Sequence, residues 1–238
     1  MTSTSLSSAP LVLIAGGSSA AGVAVAAALV QAGQRVLTVG SDAGRIQAAA
    51  APTGATPLVC DLADPDAVAA LADSVHRDFG PVDGLIHLVG GWRGGKDLAA
   101  QSDADWDFLH TSVLTTLRNT SRAFYADIAA SPAGRLAIVS STAVSAPTPG
   151  NANYVAVKAA AEAWVQAIAA GLASAAGGET GPAAVVLAVK ALVDPAMRAA
   201  SPERSFPGFT DVADLGHTVV GLFSTPASAL NGSRIVLS

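Results

Sequence analysis

The segment Leu11-Val12-Leu13-Ile14-Ala15-Gly16-Gly17-Ser18-Ser19-Ala20-Ala21-Gly22 constrains the fold more than any other. A short apolar strand runs into glycines and small residues, and an apolar helix, Val23 to Ala32, follows. Such a strand–turn–helix aims backbone N–H groups and the positive end of a helix dipole at one point, which favours a phosphate there. Gly16 permits the sharp turn, and Gly22 lets the helix pack closely. An ordinary tight βα turn reads the same way in isolation, so the rest of the chain has to decide.

Short apolar runs alternate with longer helical patterns. Candidate strands are Leu11–Ala15, Arg35–Val39, Thr56–Cys60, Gly84–Leu88, Arg135–Ser140, Ala183–Val189 and Ser233–Leu237. Candidate helices are Ala21–Ala32, Arg45–Ala50, Pro65–Asp78, Asp103–Ser131, Asn153–Ala176 and Val212–Phe223. The strands lack strict alternation, as strands buried on both faces do. Alternating β and α units predict a single-domain α/β fold, a doubly wound parallel sheet with helices on both faces. Ligands bind such sheets beyond the carboxyl ends of the strands, where Gly16, Gly40, Asp61, Gly90 and Ser141 fall. Residues 1–10 read as a flexible tail and 11–238 as the domain. Gly177 to Pro182 reads as a loop, and about 195–210, with no clear period, as a mobile substrate lid.

Composition removes several alternatives. The chain has 238 residues, 51% hydrophobic and 13% charged, enough for one well-buried core. A net charge of −5 leaves no basic field for nucleic acid. The single cysteine, Cys60, excludes an internal disulfide and reads as a buried strand residue. The N-terminus lacks the basic start of a signal peptide, and no apolar run reaches the roughly 18–20 residues of a membrane span. These features predict a cytoplasmic protein without membrane contact. His76, His110 and His217 show no ligand spacing, so no metal is expected.

The chemistry concentrates at Ser141, Tyr154 and Lys158. Tyr and Lys four apart share one face of a helix. An ammonium near a phenol favours the phenolate and is expected to lower the Tyr154 pKa, making it a proton donor or acceptor. Ser141, thirteen residues before Tyr154 and behind a strand, can hold a carbonyl oxygen beside the phenol.

With these residues in place, the chain resembles the short-chain dehydrogenase/reductase family over nearly its whole length. The family fold is a Rossmann-type doubly wound sheet. Within it the chain is most similar to the dihydropteridine reductase branch. It shares Ala20 at the turn's middle glycine, the stretch Gly90-Gly91-Trp92-Arg93-Gly94-Gly95, Thr148-Pro149-Gly150 before Tyr154, and a lid with Met197, Ser201-Pro202-Glu203 and Phe206. The resemblance implies that Ser141 orients the substrate, Tyr154 transfers the proton, and Lys158 binds the nicotinamide ribose. It implies that Gly16, Ser18, Ser19, Ala20, Ala21 and Gly22 hold the pyrophosphate. Asp61-Leu62 would read the adenine edge, and Gly90 and Gly91 would line the nicotinamide ribose. The implied activity is NAD(P)H-dependent reduction of a C=O or C=N group in a small, planar cyclic substrate. Trp92, Met197 and Phe206 are the candidate substrate contacts. A homodimer or homotetramer paired through the two long helices is also implied.

Three positions depart from the family pattern. Its helix Asn falls at Val113. At the end of the second strand, where NAD-specific members carry Asp, stand Gly40 and Ser41; with Arg45 near, this favours NADP(H), and Asp42 keeps NAD(H) possible. Where the family has Pro-Gly, this chain has Lys190-Ala191. A buried Lys190 with a lowered pKa could act chemically, which opens a redox-neutral alternative: a dehydratase, isomerase or cyclase using Tyr154 and Lys190. A solvated lysine, or one touching the cofactor, fits the same position. Trp92 reads either as a stacking platform for a heterocycle or as a loop residue packed on the lid. His87 reads either as an adenosine contact or as a core histidine.

Overall fold

The computed structural model describes residues 9–175 and 181–238. Most of the tail at 1–10 and of the loop Gly177 to Pro182 lies outside the described residues. In chain order the elements are β1 (Leu11–Ala15), α1 (Ala20–Gln31), β2 (Arg35–Gly40), α2 (Ala43–Ala50), β3 (Thr56–Val59), α3 (Pro65–Asp78), β4 (Gly84–His87), α4 (Asp103–Leu109), α5 (Thr116–Ala130), β5 (Arg135–Ser141), α6 (Ala152–Ala175) and β6 (Ala183–Val189). Then come β7 (Leu192–Val193), α7 (Pro195–Ala200), β8 (Thr210–Asp211), α8 (Val212–Leu222), α9 (Ala227–Leu230) and β9 (Arg234–Leu237).

Seven strands form one parallel sheet in the order β3-β2-β1-β4-β5-β6-β9. The doubly wound α/β fold read from the sequence is therefore correct. Along β1 the side chains alternate between two cores. Leu11 and Leu13 join Phe124 and Ile128 of α5 and Val157, Val165 and Leu172 of α6 on one face. Val12 and Ile14 join Val25 and Leu29 of α1 and Leu215, Val219 and Leu222 of α8 on the other. Every residue of β1 and β6 is buried, which explains their unbroken apolar runs.

Side-chain caps fix where the helices begin. Ser19, Asp42, Asp64, Ser102, Asp194 and Asp211 each accept a bond from a backbone N–H of the following first turn. Asp194-Pro195 thus starts a helix inside the segment read as structureless. The correction has a local cause, a cap followed by proline at the first helical position.

The helix expected over Asp103–Ser131 is interrupted by a π-helical turn at His110–Thr115. There Ser112 donates to the Phe108 carbonyl at 2.7 Å and Thr116 to the Ser112 carbonyl at 2.8 Å. Hydroxyls that bond back one turn compete with the helical ladder, and here they accompany the inserted π turn. A second correction concerns α6. The stretch Pro149–Ala173 is long and apolar enough to cross a membrane by composition, yet its apolar residues fill the sheet core.

A buried cation locks the end of the sheet opposite the strands' carboxyl ends. Arg135 is 4% exposed and donates to the carbonyls of Leu222, Thr225, Gly134 and Gly181 at 2.6–2.9 Å. It thereby serves carbonyls at the end of α8 that have no helical partner. Replacing it (Arg135→Met) leaves those carbonyls without donors. Chemical denaturation should read a loss of about 2–4 kcal/mol.

Candidate active site

The turn after β1 is built for close approach. Gly16 has φ +88°, and a Cβ there would lie 2.9 Å from the backbone of Leu88 and Val89. A Cβ on Gly22 would lie 2.5 Å from the Gly16 carbonyl. Gly16 and Gly17 both donate to the Val39 carbonyl, at 3.0 and 3.1 Å. The Ser19 hydroxyl donates to the Gly16 carbonyl and accepts from the Gly22 N–H. Ser18, Ser19 and Ala20 stay exposed at the open end of α1.

Two cavities lie beyond the carboxyl ends of the strands and meet at Val89. One, about 160 Å³, is lined by Gly16, Ser18, Gly40, Ser41, Asp61 and Leu62, together with Cys60 and Thr116. The other, about 400 Å³, is lined by Ala21, Gly90, Gly91, Trp92, Tyr154, Lys158 and Lys190, among others. Many of the expected residues thus line two neighbouring cavities, while Ser19, Ala20, Gly22 and the buried Ser141 line neither. Arg45 lines neither cavity; it is exposed and pairs with Asp42 at 3.7 Å. Met197 and Phe206 also stand apart from the lining.

Tyr154 and Lys158 project from the first turns of α6, and Ser141 ends β5. The Ser141 hydroxyl faces the Tyr154 phenol and acts on its acidity, and it accepts from the Ala143 N–H at 3.1 Å. The Lys158 ammonium donates to the Val139 carbonyl at 2.8 Å and lies 5.9 Å from the Tyr154 ring centre. Burial sets both acidities. It raises Tyr154 above the ordinary tyrosine value, with the Ser141 hydroxyl pulling the other way. The expected lowering does not prevail, because desolvation of the phenolate is the larger effect. Burial also lowers Lys158 to about 8, opposed by the Glu162 carboxylate.

Neighbouring groups take definite roles. His87 is 3% exposed, bonds Thr116 at 3.0 Å, and is driven to about 3 by burial and by Lys158. It is a neutral core histidine. The Cys60 thiol is pushed up to about 11 by burial and nearby carboxylates, so it is no nucleophile. Val113, in the π turn, lies with Lys158 beneath Gly90. Trp92 is 64% exposed, with its ring over Gly94 at the cavity mouth. Trp164 bonds Ser121 and packs on the core.

Lys190 follows the solvated reading and not the buried one. It is exposed, and its ammonium donates to the Pro207 carbonyl at 2.9 Å, close to the Phe209 ring. It tethers the segment after α7 instead of sitting buried. Residues that pattern reading missed include Gln101, Glu162 and Arg234. Gln101 bonds Gly150 and the Asn153 N–H, anchoring the start of the Tyr154 helix. Glu162 follows Lys158 by four residues, and that spacing was the one available signal.

The short chain dehydrogenase family profile matches residues 10–197. The chain belongs to the short-chain dehydrogenase/reductase family. An uncharacterized oxidoreductase of Mycobacterium tuberculosis is 31% identical over 174 residues, covering 67% of this chain and 50% of that protein. The 3-oxoacyl-[acyl-carrier-protein] reductase FabG of Escherichia coli is 26% identical over 151 residues, covering 63% and 62%. The chain therefore spans about half to three-fifths of the length of these relatives. Among solved structures, an NADPH-bound short chain oxidoreductase of Pseudomonas aeruginosa with an atypical catalytic center matches with TM-score 0.83 and 21% identity, over 96% of this chain and 95% of that one. A short-chain dehydrogenase/reductase of Mycobacterium ulcerans matches with TM-score 0.84 and 20% identity, over 96% and 88%.

The Ser141 hydroxyl is what opposes burial at Tyr154, so Ser141→Ala should push the phenol further up. The chain has two tyrosines, so in a Tyr125→Phe background phenolate absorbance reports Tyr154 alone. Ionisation should begin at higher pH in the alanine variant; an unchanged or lower onset contradicts the assignment.

Proposed function

We propose that the protein is an NADP(H)-dependent reductase acting on a C=O or C=N group of a small, planar cyclic substrate. The observation that carries this is that Tyr154 and Lys158, with Ser141 behind them, line a cavity that shares Val89 with the glycine-floored one at Gly16 and Gly40. The floor fits a dinucleotide because side chains at Gly16 and Gly22 would meet backbone. The N–H groups of Ser18, Ala20 and Ala21 would hold its pyrophosphate, Asp61 and Leu62 the adenine, and Gly90, Gly91 and Lys158 the nicotinamide ribose. Bound NADPH would supply the hydride.

The chain's own residues handle the proton. Ser141 holds the acceptor atom beside the Tyr154 hydroxyl. Tyr154 gives up its proton to that atom, and the Lys158 ammonium stabilises the phenolate left behind. Solvent then returns the proton. The neutral His87 adds no competing charge. Preference for the 2′-phosphate is supported by the absence of an acid at Gly40 and by the Ser18 hydroxyl, which lies 3.5 Å from the position a Gly40 Cβ would take. With Arg45 engaged by Asp42, the serines carry that preference. The Gly-Gly-Trp stretch and the exposed Trp92 support a flat heterocycle, in line with the pteridine reductase resemblance. The redox-neutral reading loses its support, because Lys190 is bonded to Pro207. Pairing of copies through α5 and α6 fits the family likeness, and sedimentation would test it.

Three outcomes follow. With NADPH and a panel of cyclic carbonyl, imine and quinonoid acceptors, Tyr154→Phe should retain NADPH binding and lose at least about a hundredfold in turnover. Near-normal turnover would refute the role. Activity should decline as pH rises through about 8, where the Lys158 ammonium is lost. Gly40→Asp should weaken NADPH binding by about tenfold or more and spare NADH, since the new carboxylate would repel the 2′-phosphate.

A further inference from the structure

Behind the Ser–Tyr–Lys set lies a charged pair that the proposed chemistry does not use. Glu162 and Lys158 are the only charged residues of α6. One Glu162 oxygen accepts from Arg234 Nε of β9 at 2.9 Å; the other accepts from the Ser140 hydroxyl of β5. Arg234 Nη2 also donates to the Ser141 carbonyl at 2.9 Å. The side chains are 26% and 14% exposed for Arg234 and Glu162. The pair therefore joins three elements, separated by up to 93 residues in sequence, around the active serine.

Its position is also electrostatic. Glu162 lies one helical turn beyond Lys158 on the same face. Lys158 is 7% exposed, and its described ammonium bond goes to the Val139 carbonyl. The groups around it are His87 from β4, Tyr154 and Glu162 from α6, Arg234 from β9 beyond Glu162, and Lys190 after β6 on the same cavity. Val113 of the π turn and Thr116 of α5 also lie here and carry no charge. Glu162 is the only acid in this set.

We propose that Glu162 is a positioning residue, clamped by Arg234 and Ser140, that keeps Lys158 an ammonium in a buried site while Arg234 ties down the Ser141 carbonyl. Arg234 orients the carboxylate and tempers its charge. The consequence for turnover rests on the reading of Ser141, Tyr154 and Lys158 given above. The protonation of Lys158 does not, and it can be read without substrate.

The test is an NMR titration of the full chain labelled with ¹³Cε-lysine. The lysines are Lys96, Lys158 and Lys190, assigned through Lys96→Arg and Lys190→Arg. The wild-type Lys158 midpoint should lie near 8. Glu162→Gln keeps the size and hydrogen-bonding of the side chain and should lower the midpoint by about half a pH unit or more. Glu162→Asp should restore most of it. Arg234→Gln, which leaves the carboxylate without its cation, should move the midpoint upward. Opposite shifts at the two positions are not the signature of loosened packing. Unmoved midpoints in Glu162→Gln and Arg234→Gln would overturn the proposal. If the Glu162 variant does not fold, an unmoved or lowered midpoint in Arg234→Gln overturns it alone.

Discussion

The site depends on one close approach, the Gly16 backbone against Leu88 and Val89. β1 lies between β2 and β4, in register Ala15 to Val39 on one side and Ala15 to His87 on the other. Beyond Ala15 the chain turns away into α1, on one face of the sheet, while the chain after β4 leads to α5 on the other. A crevice opens where the two connections part. Its floor is backbone, because Gly16 at φ +88° carries nothing that would push β4 outward. A side chain there would displace Leu88 and Val89 and, with them, Gly90 above Lys158. Both cavities are lined by Val89, so their relative placement rests on this contact.

Burial governs the chemistry built over that floor. Removing water disfavours both the Tyr154 phenolate and the Lys158 ammonium. The surrounding groups restore part of what burial takes: Ser141 for the phenol, Val139 and Glu162 for the ammonium. His87 is held neutral, so it adds no cation beside Lys158. The result is an uncharged phenol beside a charged amine, the pairing a proton donor needs at neutral pH.

Much of this was legible in the sequence because its signals are local. Apolar runs gave the seven strands of the main sheet within a residue or so. Ser141, Tyr154 and Lys158 were singled out by their spacing together with the glycine-rich turn at Gly16. Contacts between distant segments were not legible: Arg135 with Thr225, His76 with Asp127 at 2.7 Å, and Glu162 with Arg234. The π turn at His110–Thr115 arises from hydroxyls bonding back along the helix, which periodicity does not register. The direction of the Tyr154 shift was misread for a related reason. Sequence gives neighbours along a helix, but the depth of burial comes from the whole fold.

The central claim is that the two cavities are halves of one dinucleotide trough. Amide hydrogen exchange with and without NADPH tests it most directly. The account predicts slowed exchange, together and with one saturation curve, at Ser18 to Gly22, at Gly40 and Ser41, and at Val89 to Gly91. Protection confined to one of these segments, or to none, would contradict it.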